Sequence, residues 1–202
     1  MKKCRYFIFL FFCFFLINAY ATTPPVTMLE TVSNQAISEL KSHQMTLKTN
    51  KEVVYRIING ILLPHIALED MARVALGRNA WASATAQQRQ QFVKEFTTLM
   101  VRTYSSALAA YTDETVKFFP VRGGYENKTR VEVESKIIRE GGPPVSVQYR
   151  LILKGMQWKV YDISVEGISI LESFRAQFSD ELSQGSLTSL LSKLQEHNRE
   201  TA

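Results

Sequence analysis

Cysteine is almost absent from this sequence of 202 residues. The two cysteines that it contains, Cys4 and Cys13, lie near the N-terminus in a segment that we predict to be removed. The rest of the chain would then carry no thiol, which excludes a disulfide framework, a thiolate nucleophile and a cysteine-ligated metal. Cys13 follows large aromatic residues rather than a small one, so it does not match a lipoprotein acylation site.

The sequence also lacks the patterns that mark common catalytic sites. Its three histidines, His43, His65 and His197, are far apart, and no pair has the spacing of a zinc site. There is no G-x-S-x-G, G-x-x-x-x-G-K or G-x-G-x-x-G motif. Asp162 and Glu166 are paired carboxylates, but no nucleophile or metal ligand lies near them in sequence, so we interpret them as turn, cap or interface residues. We therefore expect no enzyme activity, no metal site and no cofactor.

The chain without its N-terminal segment also lacks a large net charge of either sign. Removing Lys2, Lys3 and Arg5 from the 24 basic residues leaves 21 against 19 acidic residues, a net charge of +2. The isoelectric point of about 9.2 for the whole sequence mostly reflects that segment. The charge therefore does not indicate nucleic acid as a partner.

The N-terminal segment has the features of a secretory signal peptide. Its three basic residues precede an uncharged apolar run over residues 6–17, and the segment ends in the small-x-small sequence Ala19-Tyr20-Ala21. The run is short for a permanent membrane anchor, which is the alternative interpretation. We predict a signal peptide over residues 1–21 that is cleaved after Ala21, export of the remaining chain across the inner membrane, and a single domain over residues 22–202.

What the sequence does contain is one long amphipathic helix, predicted over residues 85–111. Thr85 and Gln88 form a capping box at its start, in which each side chain satisfies a backbone N–H of the first turn. Large apolar residues then recur at spacings of three and four and form a broad face: Phe92, Val93, Phe96, Leu99, Met100, Tyr104, Leu108 and Tyr111. Such a face needs an extensive partner, and we expect a run of later strands to supply it.

Further helices are predicted on both sides of the long one. A first amphipathic helix begins near residue 26, and Thr49 with Glu52 forms a capping box for a second helix, which Pro64 stops. A third helix ends at Gly77, a residue suited to a left-handed cap. The helical part thus covers about residues 26–111, and two C-terminal helices cover about residues 168–198, with a break at Gly185.

Between these helical parts, the pattern changes to alternation with a period of two. Strands are predicted over residues 115–121, 128–139, 145–154 and 157–165, and the sheet spans about residues 115–165. Short glycine-containing turns favour antiparallel neighbours. We therefore predict an α+β fold, in which a four-stranded antiparallel sheet packs against the long helix, with an N-terminal helical part and two C-terminal helices. The two apolar faces either close on each other as an ordinary core or enclose an apolar pocket between them.

Several short motifs together resemble the MlaC family, also called the toluene-tolerance auxiliary component. They are LPH at residues 63–65, LGR at 76–78, TAQQRQQF at 85–92, WKVYD at 158–162 and VEGIS at 165–169. The resemblance extends from about the second helix to Leu194. It implies a periplasmic phospholipid carrier that shuttles lipid between an outer-membrane lipoprotein complex and an inner-membrane ABC transporter with an MCE domain. It also implies acyl chains held between sheet and helices, a head group that faces solvent, and no covalent chemistry.

From the resemblance and the two apolar faces we predict the residues that hold the lipid. The acyl-chain pocket is predicted to be lined by Phe96, Leu99, Met100, Tyr104, Leu108, Val131, Val133, Val147, Tyr149, Leu151, Trp158 and Val160. The head-group candidates are Arg78, Arg102 and Arg150, because a guanidinium can bind phosphate through two parallel hydrogen bonds. The partners are then phospholipid and the two membrane complexes, and we expect a monomer.

Two other classes of protein fit the same pattern. One is a small periplasmic enzyme on a curved-sheet cone, with His65 or Asp162 at the mouth of its pocket. The other is a structural subunit of an envelope complex whose core is closed. Turnover abolished by His65→Ala would favour the enzyme, and a fully packed interior would favour the structural subunit.

Overall fold

The computed structural model describes residues 22–200. The predicted signal peptide and its cleavage site lie outside the described residues. Within the described range there are seven α-helices: α1 (Pro25–Ser42), α2 (Lys51–Ile57), α3 (Leu68–Leu76), α4 (Arg78–Ser83), α5 (Ala86–Ala109), α6 (Ile170–Gln184) and α7 (Leu187–Glu200). No helix in residues 22–200 is long and apolar enough to cross a membrane.

The long helix α5 begins as the sequence predicts. The Thr85 hydroxyl accepts a hydrogen bond from the backbone N–H of Gln88 (3.2 Å), and the Gln88 side chain accepts one from the backbone N–H of Thr85 (3.0 Å). This reciprocal pairing satisfies two donors that the first helical turn leaves without partners. The capping box is therefore confirmed, and it fixes the point at which the chain enters α5.

The start and end of the second helix differ from the prediction. Asn50, not Thr49, is the cap, because its side chain accepts from the backbone N–H of Glu52 (3.1 Å), whereas the Thr49 hydroxyl donates to the carbonyl of Thr46. Helix α2 also ends well before Pro64, and the chain continues as a π-helical turn (Ile58–Leu62) and a 3₁₀ turn (Leu63–His65). Pro64 lies in the first positions of that 3₁₀ turn, where its missing N–H leaves no hydrogen bond unmade.

The sheet has five antiparallel strands rather than four. They are β1 (Thr115–Phe118), β2 (Arg130–Ile138), β3 (Val145–Lys154), β4 (Gln157–Val165) and β5 (Ile168–Ser169), and they are neighbours in that order. The unpredicted strand β5 contains two residues, too few to show alternation. It folds back because Glu166 and Gly167 both have positive φ (49° and 81°), which suits a tight hairpin turn.

The register of the strands defines two faces. Val131 lies opposite Leu151, Val133 opposite Tyr149, and Leu151 opposite Val160, and these residues form the apolar face predicted from the alternation. We call it the inner face. A bulge between Arg150 and Leu151 shifts the pairing with β4, so that Asp162 lies opposite Arg150 on the outer face.

The inner face packs mainly against α1, a different partner from the one that the sequence predicts. Met28, Leu29 and Val32 of α1 form one hydrophobic cluster with the inner face. Helix α5 packs mainly against α2, α3 and α7 instead. The aromatic residues of α5 are directed into the helical part, where they pack edge-to-face on rings of α6. The ring centroids of Phe92 and Phe178 are 5.5 Å apart, and those of Phe96 and Phe174 are 5.2 Å apart.

Candidate functional site

The inner face is the candidate functional site, because the predicted acyl-chain residues of the sheet all lie on it. Its residues at the end nearest the β3–β4 turn are almost fully buried, with exposures of 8% for Val131, 0% for Val133, 0% for Leu151, 3% for Trp158 and 3% for Val160. Helix α1 covers this end, together with Ile61, Leu62 and Ile66 from the turns that follow α2. The inner face is therefore closed at this end.

The opposite end of the inner face is much more exposed. Val147 is still buried, but Val165, its partner on β4, is 39% exposed, and Ile168 of β5 is 68% exposed. Solitary exposed apolar residues need no explanation, but these two adjoin a continuous apolar face. The inner face is thus closed by α1 at one end and open at the β4–β5 hairpin.

The inner face also carries polar groups. The Ser135 hydroxyl donates to the carbonyl of Val147 (3.4 Å), and Ser135 also forms a hydrogen bond with Tyr149. Burial raises the pKa of Tyr149, and the hydrogen bond to Ser135 opposes that rise, so the phenol is neutral at physiological pH. The indole N–H of Trp158 is buried without a hydrogen-bond partner in residues 22–200. A ligand on this face would therefore meet hydrocarbon with a few polar positions.

The predicted lining residues of α5 do not join the cluster of the sheet. Phe96, Leu99 and Met100 belong to the cluster formed with α3, α6 and α7, and Leu108 belongs to a third cluster with α1 and α2. Tyr104 is 38% exposed, and partial burial raises the pKa of its phenol. The clusters meet at shared residues: Ile66 contacts the first and second, and Ile61 and Leu62 contact the second and third.

The three head-group candidates lie in different parts of the molecule. Arg78 is exposed at the start of α4. Arg102 is half-buried beside a groove between α2 and α5. Arg150 lies on the outer face, where its guanidinium contacts the carboxylates of Asp162 (3.2 Å) and Glu132 (3.7 Å). The structure does not bring the three arginines together.

The carboxylate of Asp162 is buried among hydrogen-bond donors and does not lie at the mouth of a pocket, where the enzyme alternative would place it. It is 2% exposed, and its carboxylate accepts from the backbone N–H groups of Ile163 (2.8 Å) and Leu171 (3.4 Å), from the Ser169 hydroxyl (2.8 Å) and from Arg150 (3.2 Å). These contacts tie β3, β4 and the start of α6 together. Asp162 thus has a structural role, whereas Ser169 is the cap of α6, because its hydroxyl accepts from the backbone N–H of Glu172 (3.1 Å).

His65 occupies a different environment, beside a cavity of about 280 Å³ that it lines together with Trp158 and α1. Burial lowers the pKa of His65, and the nearby positive charge of Lys159 lowers it further. Its imidazole is therefore neutral at physiological pH. Within residues 22–200, no group of three or more histidine, cysteine, aspartate or glutamate side chains is placed to hold a metal ion.

Comparison with known proteins places this chain in a family. The family model with the description "MlaC protein" matches residues 30–196. The chain belongs to the MlaC family. The match covers all the helices except the first turns of α1 and the last turn of α7, and it covers the whole sheet.

Individual MlaC relatives agree with this assignment. The Haemophilus influenzae protein named intermembrane phospholipid transport system binding protein MlaC is 26% identical over 182 residues, which are 89% of this chain and 84% of that protein. The Pseudomonas putida toluene tolerance protein ttg2D is 27% identical over 160 residues, 79% of this chain and 74% of that protein.

A solved structure confirms the MlaC fold. The phospholipid-binding protein from Ralstonia solanacearum, solved in complex with a phospholipid, has a TM-score of 0.81 and 29% identity to this chain. The alignment covers 89% of this chain and 99% of that chain. The predicted α+β fold is thus confirmed, with five strands in place of four.

The residues of this MlaC family member that cover the inner face could not be assigned from the sequence. Met28, Leu29 and Val32 show helical spacing, which predicts that they are buried but not which surface buries them. Ser135 was visible as one hydroxyl in an otherwise apolar alternation. The β2–β3 register places it opposite Val147 and diagonal to Tyr149, with which it forms a hydrogen bond.

Proposed function

We propose that this MlaC family member is a periplasmic carrier that binds a phospholipid through its acyl chains. The inner face of the sheet is the proposed contact surface, chiefly Val131, Val133, Val147, Tyr149, Leu151, Trp158 and Val160. Phe96, Leu99 and Met100 pack within the helical part, and Leu108 packs against α1 and α2. We therefore assign Tyr104, which is partly exposed, as the main contact from α5. The protein performs no covalent chemistry in this proposal.

One observation carries the proposal within this structure: the apolar inner face is closed by α1 at one end and uncovered at the β4–β5 hairpin. An acyl chain that enters beside Val165 and Ile168 would meet apolar side chains along its length. The head group would remain outside, in water. Membership of the MlaC family and the names of the relatives support the choice of a phospholipid over other amphiphiles.

The energetics explain why a carrier is needed. A lipid with two chains has roughly 30 methylene groups, and at about 0.8 kcal/mol each their exposure to water costs roughly 25 kcal/mol. A bilayer already keeps these chains dry, so the protein gains only the difference between its own interior and the bilayer. A small difference suits a shuttle, because the same site has to accept lipid from one membrane and release it at another.

We propose that the two ends of this shuttle are an outer-membrane lipoprotein complex and an inner-membrane ABC transporter with an MCE domain. The name of the Haemophilus influenzae relative, which refers to intermembrane phospholipid transport, supports transfer between two membranes. The identity of the two complexes rests on the family resemblance alone. The direction of transport would then be set by the partners and by ATP hydrolysis, since a small difference in lipid affinity gives no direction of its own.

The test is to express the whole chain, recover it from the periplasmic fraction without detergent, and measure its mass by native mass spectrometry. We expect one phospholipid per protein and an N-terminus at Thr22. Solvent extraction then identifies the lipid. A protein that is recovered empty and takes up no lipid from liposomes would refute the carrier and favour a structural subunit with a closed core.

Replacing Val147 by tryptophan tests the assigned face. Val147 is buried on the inner face, so the larger ring has to occupy space that an acyl chain would use, and we expect lipid occupancy to fall about tenfold, the equivalent of about 1.4 kcal/mol. Ile152→Trp is the matched control, because Ile152 lies on the same strand but on the outer face. Full occupancy in folded Val147→Trp, or equal loss in both variants, would show that the lipid lies elsewhere.

A further inference from the structure

A second cavity lies between α4 and α6, on the helical side of the molecule away from the inner face. Its volume is about 550 Å³, which is within the range of small-molecule sites, about 300–1,000 Å³. Residues from the start of α4 form one wall and residues of α6 form the other: Gly77, Arg78, Asn79, Ala80 and Ser83, then Arg175, Ser179, Leu182 and Ser183. Leu76 and Leu187 complete the lining.

Two arginines from different helices border this cavity without a carboxylate partner. Neither Arg78 nor Arg175 forms an ion pair or a side-chain hydrogen bond within residues 22–200. Other arginines of the chain do have such partners: Arg73 contacts Asp70, and Arg122 contacts Glu134. The cavity therefore brings together two guanidinium groups whose charge no described residue neutralises.

The remaining polar lining adds donors and no negative charge. Among the described residues that line the cavity, none is aspartate or glutamate. Asn79 and Ser179 also lack side-chain hydrogen bonds in this part of the chain, so both are available to a ligand. Asp180 and Glu181 follow Ser179 in sequence, but neither lines the cavity, and Glu181 pairs with Lys193 of α7. The site is thus positive and rich in donors.

Gly77 holds the two walls close together. It has φ +85°, a conformation that residues with side chains rarely adopt, and it joins the end of α3 to the start of α4. A Cβ at this position would lie 3.9 Å from Nε of Arg175, so Arg175 passes directly beside the glycine. The motif Leu76-Gly77-Arg78 therefore brings the backbone of one wall next to the Arg175 side chain of the other, and the positive φ is what requires glycine.

We propose that this cavity binds a phosphate group, either as inorganic phosphate or as the phosphate of an anionic lipid head group. Planar guanidinium groups bind phosphate oxygens through paired, charge-assisted hydrogen bonds. Arg78 and Arg175 would bind the anion from opposite walls, and Asn79 and Ser179 would donate to the remaining oxygens. The concave shape of the site favours a compact group over the flat surface of a partner protein. The proposal stands apart from the acyl-chain site and does not depend on it.

The experiment titrates the whole protein with inorganic phosphate, with glycerol phosphate, and with vesicles of phosphatidylglycerol or of phosphatidylcholine. Isothermal calorimetry gives the affinity, and NMR of the arginine Nε–H groups reports which side chains respond. We expect phosphate to shift the signals of Arg78 and Arg175, and we expect each change Arg78→Gln or Arg175→Gln to weaken binding about tenfold. The double change Arg56→Gln with Arg199→Gln is the control, because it removes equal charge at exposed positions.

The outcomes distinguish free phosphate from a lipid head group as the ligand, and a specific site from an effect of net charge. Binding of free phosphate that is lost in Arg78→Gln/Arg175→Gln supports a site for the soluble ion. Binding only to phosphatidylglycerol vesicles, with the same dependence, supports a lipid head group. Equal loss in the control pair would reduce the effect to net charge and overturn the proposal. Unchanged phosphate binding in Arg78→Gln/Arg175→Gln would also overturn the proposal. If that variant bound phosphate normally but failed in lipid transfer to acceptor membranes, the two arginines would instead contact a protein partner.

Discussion

Asp162 shows how a residue that resembles a catalytic acid in sequence has a structural role in the fold. It is buried at the point where the bulge in β3–β4 turns its side chain towards α6, and four donors surround it. Two of these donors are backbone N–H groups, and the one from Leu171 belongs to the first turn of α6. The carboxylate therefore accepts hydrogen bonds from buried donors that cannot reach water and would otherwise have no acceptor.

Replacing Asp162 by alanine should destabilise the protein by about 3–5 kcal/mol, because the change leaves the buried N–H of Leu171 and the buried Ser169 hydroxyl without their acceptor. It also removes one of the two carboxylate partners of the half-buried Arg150. Glu132→Gln is the matched control: Glu132 contacts the same arginine at 3.7 Å but is exposed, so we expect a change of about 0–1 kcal/mol. Urea denaturation measures both. Similar small losses in the two variants would mean that Asp162 is not a structural centre.

At the scale of helices and strands, sequence patterns that involve only neighbouring residues predicted most elements correctly. The prediction failed for elements that depend on contacts with distant residues. Thr85 and Gln88 located the start of α5, because a capping box is complete within four residues. The same pattern at Thr49 and Glu52 was misleading, since the neighbouring Asn50 competes for the same N–H group and is the cap. Strand β5 could not be predicted, because its pairing depends on the hairpin turn and on β4.

Helix α7 is attached to α5 by a buried polar contact that no local pattern reveals. The side-chain amide of Asn198 donates to the carboxylate of Glu95 (2.8 Å) and to its backbone carbonyl (3.0 Å), and both residues are 6% exposed. They are separated by 103 positions in sequence. Around them Leu190, Leu191 and Leu194 pack into the cluster that contains Phe92 and Phe96. The contact fixes the register of α7 along α5.

Asn198→Asp should loosen this attachment, because two carboxylates would then face each other in a buried position. We expect a loss of about 2–3 kcal/mol in the free energy of unfolding and faster tryptic cleavage at Lys193 and Arg199. Adding Glu95→Gln to the same chain should restore most of the loss, since the new amide on α5 can donate to the carboxylate introduced on α7. An unstable double variant would contradict this pairing, whereas a fully stable single variant would show that the apolar residues alone hold α7.

At the scale of the whole molecule, the chain builds separate hydrophobic clusters and joins them through the turns that follow α2. The sequence showed that the long helix and the sheet each have a wide apolar face. The spacing of apolar residues does not show which of these faces pack against each other. Here the aromatic residues of α5 are matched by Phe174 and Phe178 of α6, and α1 covers the sheet. Ile61, Leu62 and Ile66 connect the clusters, so the segment from Ile58 to Ile66 couples the sheet to the helices.

His65 belongs to that connecting segment, and its titration makes the stability of the whole molecule depend on pH. Its pKa in the folded protein is below the ordinary value of 6.5, first because of burial and second because of the charge of Lys159. Below pH 6.5 the unfolded chain therefore takes up the proton more readily than the folded protein does. Stability is present in full above that pH and is lost as the pH falls.

The variant His65→Gln removes this titration, so it should lose less thermal stability than the unchanged protein between about pH 7.5 and pH 5.5. The carboxylates titrate in both proteins, and the difference between the two unfolding temperatures therefore reports His65 alone. His43→Gln is the control for the loss of one imidazole, because His43 follows α1 and lies outside the connecting segment. If His65→Gln and the unchanged protein lose stability in parallel, His65 is protonated equally in the folded and unfolded states, and the connecting segment does not respond to pH.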